Sequence, residues 1–142
     1  MGDRAVVRAM HFYNDCRRAA QLCDAVREDD FKTFLRLIIE GGHSSFEFNQ
    51  NAYSIKNPKE QGVPVALALS QRVLNGRGAW RLQGGGFAGT IQAFVPVDLL
   101  DAYKVCHRRL LRRRQLPRPE HPQLRCRARD AGYVSAYIKE CK

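Results

Sequence analysis

The stretch GRGAWRLQGGGFAGTIQAFVP, residues 76–96, decides the reading of the fold. Its first part, residues 78–83, is compatible with a short strand. Its last part, residues 90–95, alternates Ile91, Ala93 and Val95 with Thr90, Gln92 and Phe94, the pattern of a strand whose two faces meet different environments. Between them lies GGGFAG, residues 84–89, with four glycines in six positions. Each glycine weakens a strand or turn entropically unless its backbone freedom is used. A wide hairpin turn with a bulge uses it, and spacing alone favours that reading. The functional alternative is a loop whose bare N–H groups can approach a phosphate, or a second phosphate-binding loop, with no Cβ in the way. The run lacks the GK[ST] ending of a P-loop and follows no βαβ pattern, so it is neither that motif nor the dinucleotide fingerprint.

Working outward toward the N-terminus, apolar residues at Val6, Met10, Tyr13, Ala20 and Leu22 recur at helical spacing and predict one long amphipathic helix over residues 5–26, broken at Glu28-Asp29-Asp30. Asp30 can cap a second helix with Phe31, Phe34, Leu35 and Ile38 on one face, stopped by Gly41-Gly42. A third helix is expected over residues 63–74, ending at Asn75-Gly76. The stretch 44–62, with Asn49-Gln50-Asn51 and Asn57-Pro58, is too polar for core. On the other side of the glycine run, Pro96 ends the strand and a helix starts over residues 97–103, with Asp98 near its positive end. The pattern is α+β.

The chain has 142 residues with 24 Lys+Arg, 14 Asp+Glu and a formal net charge of +10. Residues 1–103 hold 12 basic and 11 acidic side chains, whereas residues 104–142 hold 12 and 3. Cys106, Cys126 and Cys141, and Pro117, Pro119 and Pro122, also fall in the second part. A compositional break therefore follows Tyr103. No apolar run approaches the ~18 residues of a membrane span and no charged-then-apolar leader opens the chain, which argues against spanning and export and for a cytoplasmic domain.

Residues 76–96 closely resemble the C-terminal glycine motif of the galactokinase branch of the GHMP small-molecule kinases. The resemblance continues upstream through SSFEFNQNAYS (residues 44–54), Glu60-Gln61-Gly62 and the opening RAMHFYNDCRRA, and covers roughly residues 4–104. It departs from similar sequences at Asp15, Cys16 and Asn49. It implies a two-domain sugar kinase that phosphorylates galactose at its anomeric hydroxyl with ATP and Mg²⁺. Its C-terminal domain is a small antiparallel sheet packed with helices, and its glycine loop buttresses the phosphate loop of the other domain. Carried onto this chain, that loop is Gly84, Gly85, Gly86, Phe87, Ala88 and Gly89. The family's sugar signature, serine-rich phosphate loop and catalytic Asp have no counterpart in these residues. Phosphoryl transfer depends on positioning and charge stabilisation around the phosphates, so the chain alone is expected neither to catalyse it nor to bind ATP, Mg²⁺ or galactose tightly. No catalytic residue and no metal site are assigned.

The resemblance stops where CHRRLLRRRQLPRPEHPQ begins at Cys106. Shifted by one base with free choice of synonymous codons, Cys106 through Gln123 can be re-read as a Phe-Gly-rich turn followed by Cys-His-Val-Leu-Ser-Ile-Arg, the turn and strand the family carries there. The expectation is thus a partial GHMP-type domain over residues 1–104, incomplete at its C-terminal strand, and a frameshift-like tail over residues 105–142, disordered or an isolated helix around residues 110–115. The open sheet edge left by the missing strand should favour association. The competing reading is a non-enzymatic arm that binds nucleic acid through Arg108, Arg109, Arg112, Arg113 and Arg114. No aromatic stacking platform or helix pair accompanies it.

The remaining chemistry is thinner. Cys16 and Cys23 read as ordinary helix thiols. Cys106, His107, His121 and Cys126 match no compact zinc spacing. His11 reads as a packed, hydrogen-bonded histidine, His43 as a helix-end loop residue, and Asp98 and Asp101 as helix-start residues.

Overall fold

The computed structural model describes residues 2–84, 89–114, 124–129 and 132–139. Helix α1 spans Asp3–Arg27 and α2 spans Phe31–Ser44, continuing into a π-helical turn over Ser45–Asn49. Helix α3 covers Gly62–Leu74; strands β1, Ala79–Leu82, and β2, Thr90–Pro96, follow. A single 3₁₀ turn, Val97–Leu99, leads into α4, Leu100–Arg114, and two further strands are β3, Leu124–Arg129, and β4, Tyr133–Lys139. The sheet is antiparallel, in the order β1-β2-β4-β3.

The alternation in β2 sorts its residues as expected. Ile91, Ala93 and Val95 are at most 1% exposed, while Thr90, Gln92 and Phe94 are half-buried on the other face. Register places Trp80 opposite Ala93 and Leu82 opposite Ile91, so all of these share one face. Val63, Ala66 and Leu74 of α3 and Tyr103 of α4 close over it as one core. Each fully buried large aliphatic side chain there contributes roughly 1.5–3 kcal/mol. The opposite face is covered by α2, whose Phe34 ring meets Phe94 edge-on at 5.2 Å, with Phe31 against Tyr133 at 4.7 Å.

Several local expectations hold. Asp30 caps α2, its side chain accepting from the Thr33 N–H at 3.0 Å. Asn75, in the left-handed region at φ 43°, ends α3. Others are corrected. Gly41-Gly42 does not stop α2, because both glycines lie inside the helix where it presses on β1. A Cβ on Gly42 would sit 3.1 Å from the Trp80 carbonyl oxygen and 3.2 Å from Arg81 Cα. The helical run ends instead at Gln50, φ 55°. The polar stretch after α2 is partly core: Ser44, Ser45, Asn51 and Ala52 are all buried. Helix α1 forms, yet buries only Ala25, and leaves Val6, Met10, Phe12 and Tyr13 exposed.

The largest correction concerns the C-terminal part. The expected division at residue 104 falls inside α4, which runs unbroken to Arg114. The edge of β2 expected to be open is occupied by β4, from Thr90 opposite Lys139 to Pro96 opposite Tyr133, so the sheet is not incomplete there, and residues 124–129 and 133–139 are strands rather than disordered chain. The physical reason lies in YVSAYIK (Tyr133–Lys139), rich in aromatic and β-branched residues, preceded by Gly132 at φ +70°. The N–H of Val97 donates to the Gly132 carbonyl at 3.0 Å and ties this turn to the end of β2.

Candidate functional site: the glycine hairpin and its supports

The ladder between β1 and β2 runs to the pair Leu82 and Ile91, and one further bond, from the Gln83 N–H to the Thr90 carbonyl at 3.0 Å, closes the base of the loop. Six residues, 84–89, then cross from strand to strand. Gly84 and Gly89, at its two ends, have φ +64° and +70°, values a side chain resists. A Cβ on Gly84 would meet nothing within 4 Å, so glycine is required there for backbone conformation rather than for space. Of the loop residues singled out in the sequence, Gly85, Gly86, Phe87 and Ala88 lie outside the described residues.

The strand leading into the loop is held from several sides. Gly78, just before β1, is required by packing: a Cβ would lie 2.3 Å from the Phe94 carbonyl oxygen. Arg81 lies 4.0 Å from Asp15 of α1, and its Nε donates to the Leu82 carbonyl. Asp15 also pairs with Arg18 at 2.7 Å. These three side chains rest against Gly41, where a Cβ would come within 3.4–3.6 Å of each. Beside them His11 Nδ1 meets Ser44 Oγ at 2.8 Å. Partial burial holds the His11 pKa below its ordinary value, Arg18 and Arg81 push the same way, and Asp15 opposes them. His11 is thus the packed, hydrogen-bonded histidine expected from sequence.

Behind the sheet lies a buried polar cluster that sequence reasoning missed. The Ser70 hydroxyl donates to the Ala66 carbonyl at 2.8 Å and meets Tyr103 Oη at 2.7 Å. His107, 2% exposed, stacks on the Tyr103 ring at 4.1 Å, and its Nδ1–H donates to the Tyr103 carbonyl at 3.0 Å. Its Nε2 lies 3.3 Å from Ser70 Oγ and from the Ala66 carbonyl oxygen. Burial lowers the His107 pKa, against the two carbonyl contacts that favour the cation. His107 is therefore a core residue. The available signal was its spacing of four from Tyr103 on one helical face.

The other candidates take structural places. Asp98 pairs with Arg77 at 2.8 Å, and Asp101 is exposed beside Lys104. His43, Cys16 and Cys23 are exposed. Among the described residues no three His, Cys, Asp or Glu side chains group as metal ligands. No described helix is long and apolar enough to cross a membrane.

A hairpin that opens into a glycine loop, packed between helices in an α+β fold, defines a class of architecture and not yet a chemistry. Comparison with curated proteins supplies the next step. The chain is 30% identical over 100 residues to the galactokinase of Haemophilus influenzae (strain PittEE), 31% over 104 residues to that of Bos taurus and 35% over 101 residues to that of Homo sapiens. These matches cover 70%, 72% and 70% of this chain but 24%, 23% and 22% of the relatives. The chain thus contains a galactokinase-related region and spans about a quarter of the length of the curated relatives it matches. No family model and no solved structure matches it.

Proposed function

We propose that residues 1–104 are the C-terminal, glycine-loop part of an ATP-dependent galactokinase, a GHMP-type domain that serves galactose phosphorylation only together with a complementary kinase half. The observation that carries this is that the galactokinase-related region, about a hundred residues, takes up most of a chain whose central feature is a hairpin ending in Gly84 and Gly89 with left-handed backbones. Such a loop supplies N–H groups without side chains, and its role is to support a phosphate-binding loop contributed from elsewhere. Gly85, Gly86, Phe87 and Ala88 complete it. ATP, galactose and Mg²⁺ are ligands of the assembled cytoplasmic enzyme. The metal ligands and the proton-accepting group are assigned to the complementary half; Asp15, which faces Arg81 of β1, is engaged by Arg18 as well.

The residues after 104 are proposed to be a frameshift-like replacement of the family's last turn and strand, with β4 taking the place beside β2. Sequencing the gene tests this: a single-base change near the Lys104 codon should restore the family strand, and its absence would refute the idea. The nucleic-acid reading of the arginine run is the alternative, and it is not the favoured one. A coupled ATP-consumption assay on the purified chain with galactose should show no turnover; turnover by this chain alone would overturn the proposal.

A further inference from the structure

A groove of about 520 Å³ runs along α1 beside the π-helical turn and is lined by Arg8, His11, Phe12, Asp15, Ala19 and Asn49. It shares His11 and Asp15 with the supports of β1, while Arg8, Phe12, Ala19 and Asn49 have no part in the kinase reading. Its lining holds one guanidinium, Arg8, and one carboxylate, Asp15, and the surplus of positive charge comes from side chains outside the lining. Asp15 is the carboxylate in its wall, and it is matched by Arg18 at 2.7 Å and by Arg81 at 4.0 Å, both largely buried. Arg8, two turns toward the N-terminus on the same helical face, adds a further guanidinium. Its Nε donates to the Asn49 carbonyl at 3.0 Å, which fixes the head group at the groove's rim. The two terminal nitrogens have no described protein partner. A guanidinium held this way offers parallel donors suited to an oxyanion, and a concave surface with surplus positive charge concentrates anions.

Phe12 and Ala19 give the wall its apolar part, beside His11, Cys16 and Asn49. Phe12 is 62% exposed although it lies next to this charge, and Ala19 is also exposed. The backbone here is unusual: α2 widens into the π-helical turn Ser45–Asn49, and Gln50 follows at φ 55°. Such turns and left-handed non-glycine residues concentrate at functional sites. The volume is that of a small-molecule site and not of a polymer track.

We propose that this groove binds a small amphipathic oxyanion, a phosphate or carboxylate head group on a compact apolar body, with Arg8 holding the head group and Phe12 the body. A cation is disfavoured because guanidinium groups outnumber carboxylates. The inference does not depend on the kinase reading, since it concerns α1 and the π-helical turn alone.

The test is a titration of the full chain, followed by amide NMR shifts, with phenyl phosphate, benzoate, inorganic phosphate and uncharged benzyl alcohol. Phenyl phosphate or benzoate should give saturable shifts on α1 and at Asn49 with a dissociation constant of about millimolar order. Inorganic phosphate should bind more weakly and benzyl alcohol not at all; the stronger of the two aromatic anions identifies the head group. Arg8→Gln should weaken binding about tenfold, whereas Arg36→Gln, an exposed control paired with Glu40, should not. Phe12→Ser, at an exposed position, should weaken phenyl phosphate and leave inorganic phosphate unchanged, which keeps the test informative if Arg8→Gln unfolds. Absence of saturable shifts with every anion, equal affinity of the Arg8→Gln and Phe12→Ser proteins and wild type, or equal binding of benzyl alcohol would overturn the proposal.

Discussion

Replacing His107 with alanine probes whether the helix beyond residue 104 belongs to the core. The imidazole is 2% exposed, stacks on Tyr103 at 4.1 Å and donates to the Tyr103 carbonyl. Losing the ring contact costs about 0.5–1.5 kcal/mol, losing the hydrogen bond costs about 1 kcal/mol, and the cavity adds a further penalty of similar size. Ser70 retains the Ala66 carbonyl and the Tyr103 hydroxyl, so no buried hydroxyl is stranded. The total is roughly 3 kcal/mol, a large fraction of a typical domain's stability of about 5–15 kcal/mol. With a urea m-value of about 1.5 kcal/mol/M, the midpoint of the full chain should fall by roughly 2 M. His43→Ala, at an exposed site, is the control. The protein's pH response supplies a second readout with a definite sign. Burial places the folded-state pKa of His107 below that of the unfolded chain. The native state therefore binds fewer protons, so the contribution is full above the unfolded value of about 6.5 and declines as pH falls toward the folded value. His107→Ala should flatten that decline. A midpoint within about 0.3 M of wild type, with an unchanged pH profile, would show that α4 does not carry His107 into the core.

Three further outcomes follow from the geometry. Gly78→Ala should disrupt the start of the β1–β2 ladder and cost about 1–3 kcal/mol or more, because its Cβ would meet backbone oxygen at 2.3 Å; hydrogen exchange at Arg81 and Gln92 reads this. Asp30→Ala should lower helicity and unfold the chain earlier in urea. The Thr33 N–H holds the Asp30 pKa down, so the wild-type advantage should exist above the unfolded carboxylate pKa and vanish as pH falls through the folded one. Gly84→Ala should cost about 1–2 kcal/mol through its φ of +64°, although the site is open, and Gly84→Asn should cost less.

Much of this architecture is legible in residues whose roles are local. The strand alternation of Ile91, Ala93 and Val95, the cap at Asp30 and the stop at Asn75 each follow from a short pattern and the backbone it demands. Gly41 and Gly42 are ambiguous in sequence because a glycine pair signals both a helix end and a close helix–strand contact, and only the position of β1 distinguishes them. The same limit applies to His107, whose burial depends on α3 being across from it. Charge statistics suggest a boundary at residue 104, yet exposed arginines such as Arg108 and Arg109 say nothing about where α4 ends. Within the candidate site, the glycine run identifies the hairpin, but the Asp15, Arg18 and Arg81 cluster joins residues 66 positions apart and has no sequence signature.

The proposal that this chain supplies one part of a galactokinase is tested by recombining it with the other part. The purified 142-residue chain is mixed with a separately produced galactokinase N-terminal half, and galactose-dependent ATP consumption is measured. The predicted result is turnover in the mixture, none from either piece alone, and a loss of turnover with Gly84→Val or Gly89→Val at unchanged association. A mixture in which the two pieces associate and still do not turn over galactose, or one whose turnover ignores both glycine substitutions, would contradict it.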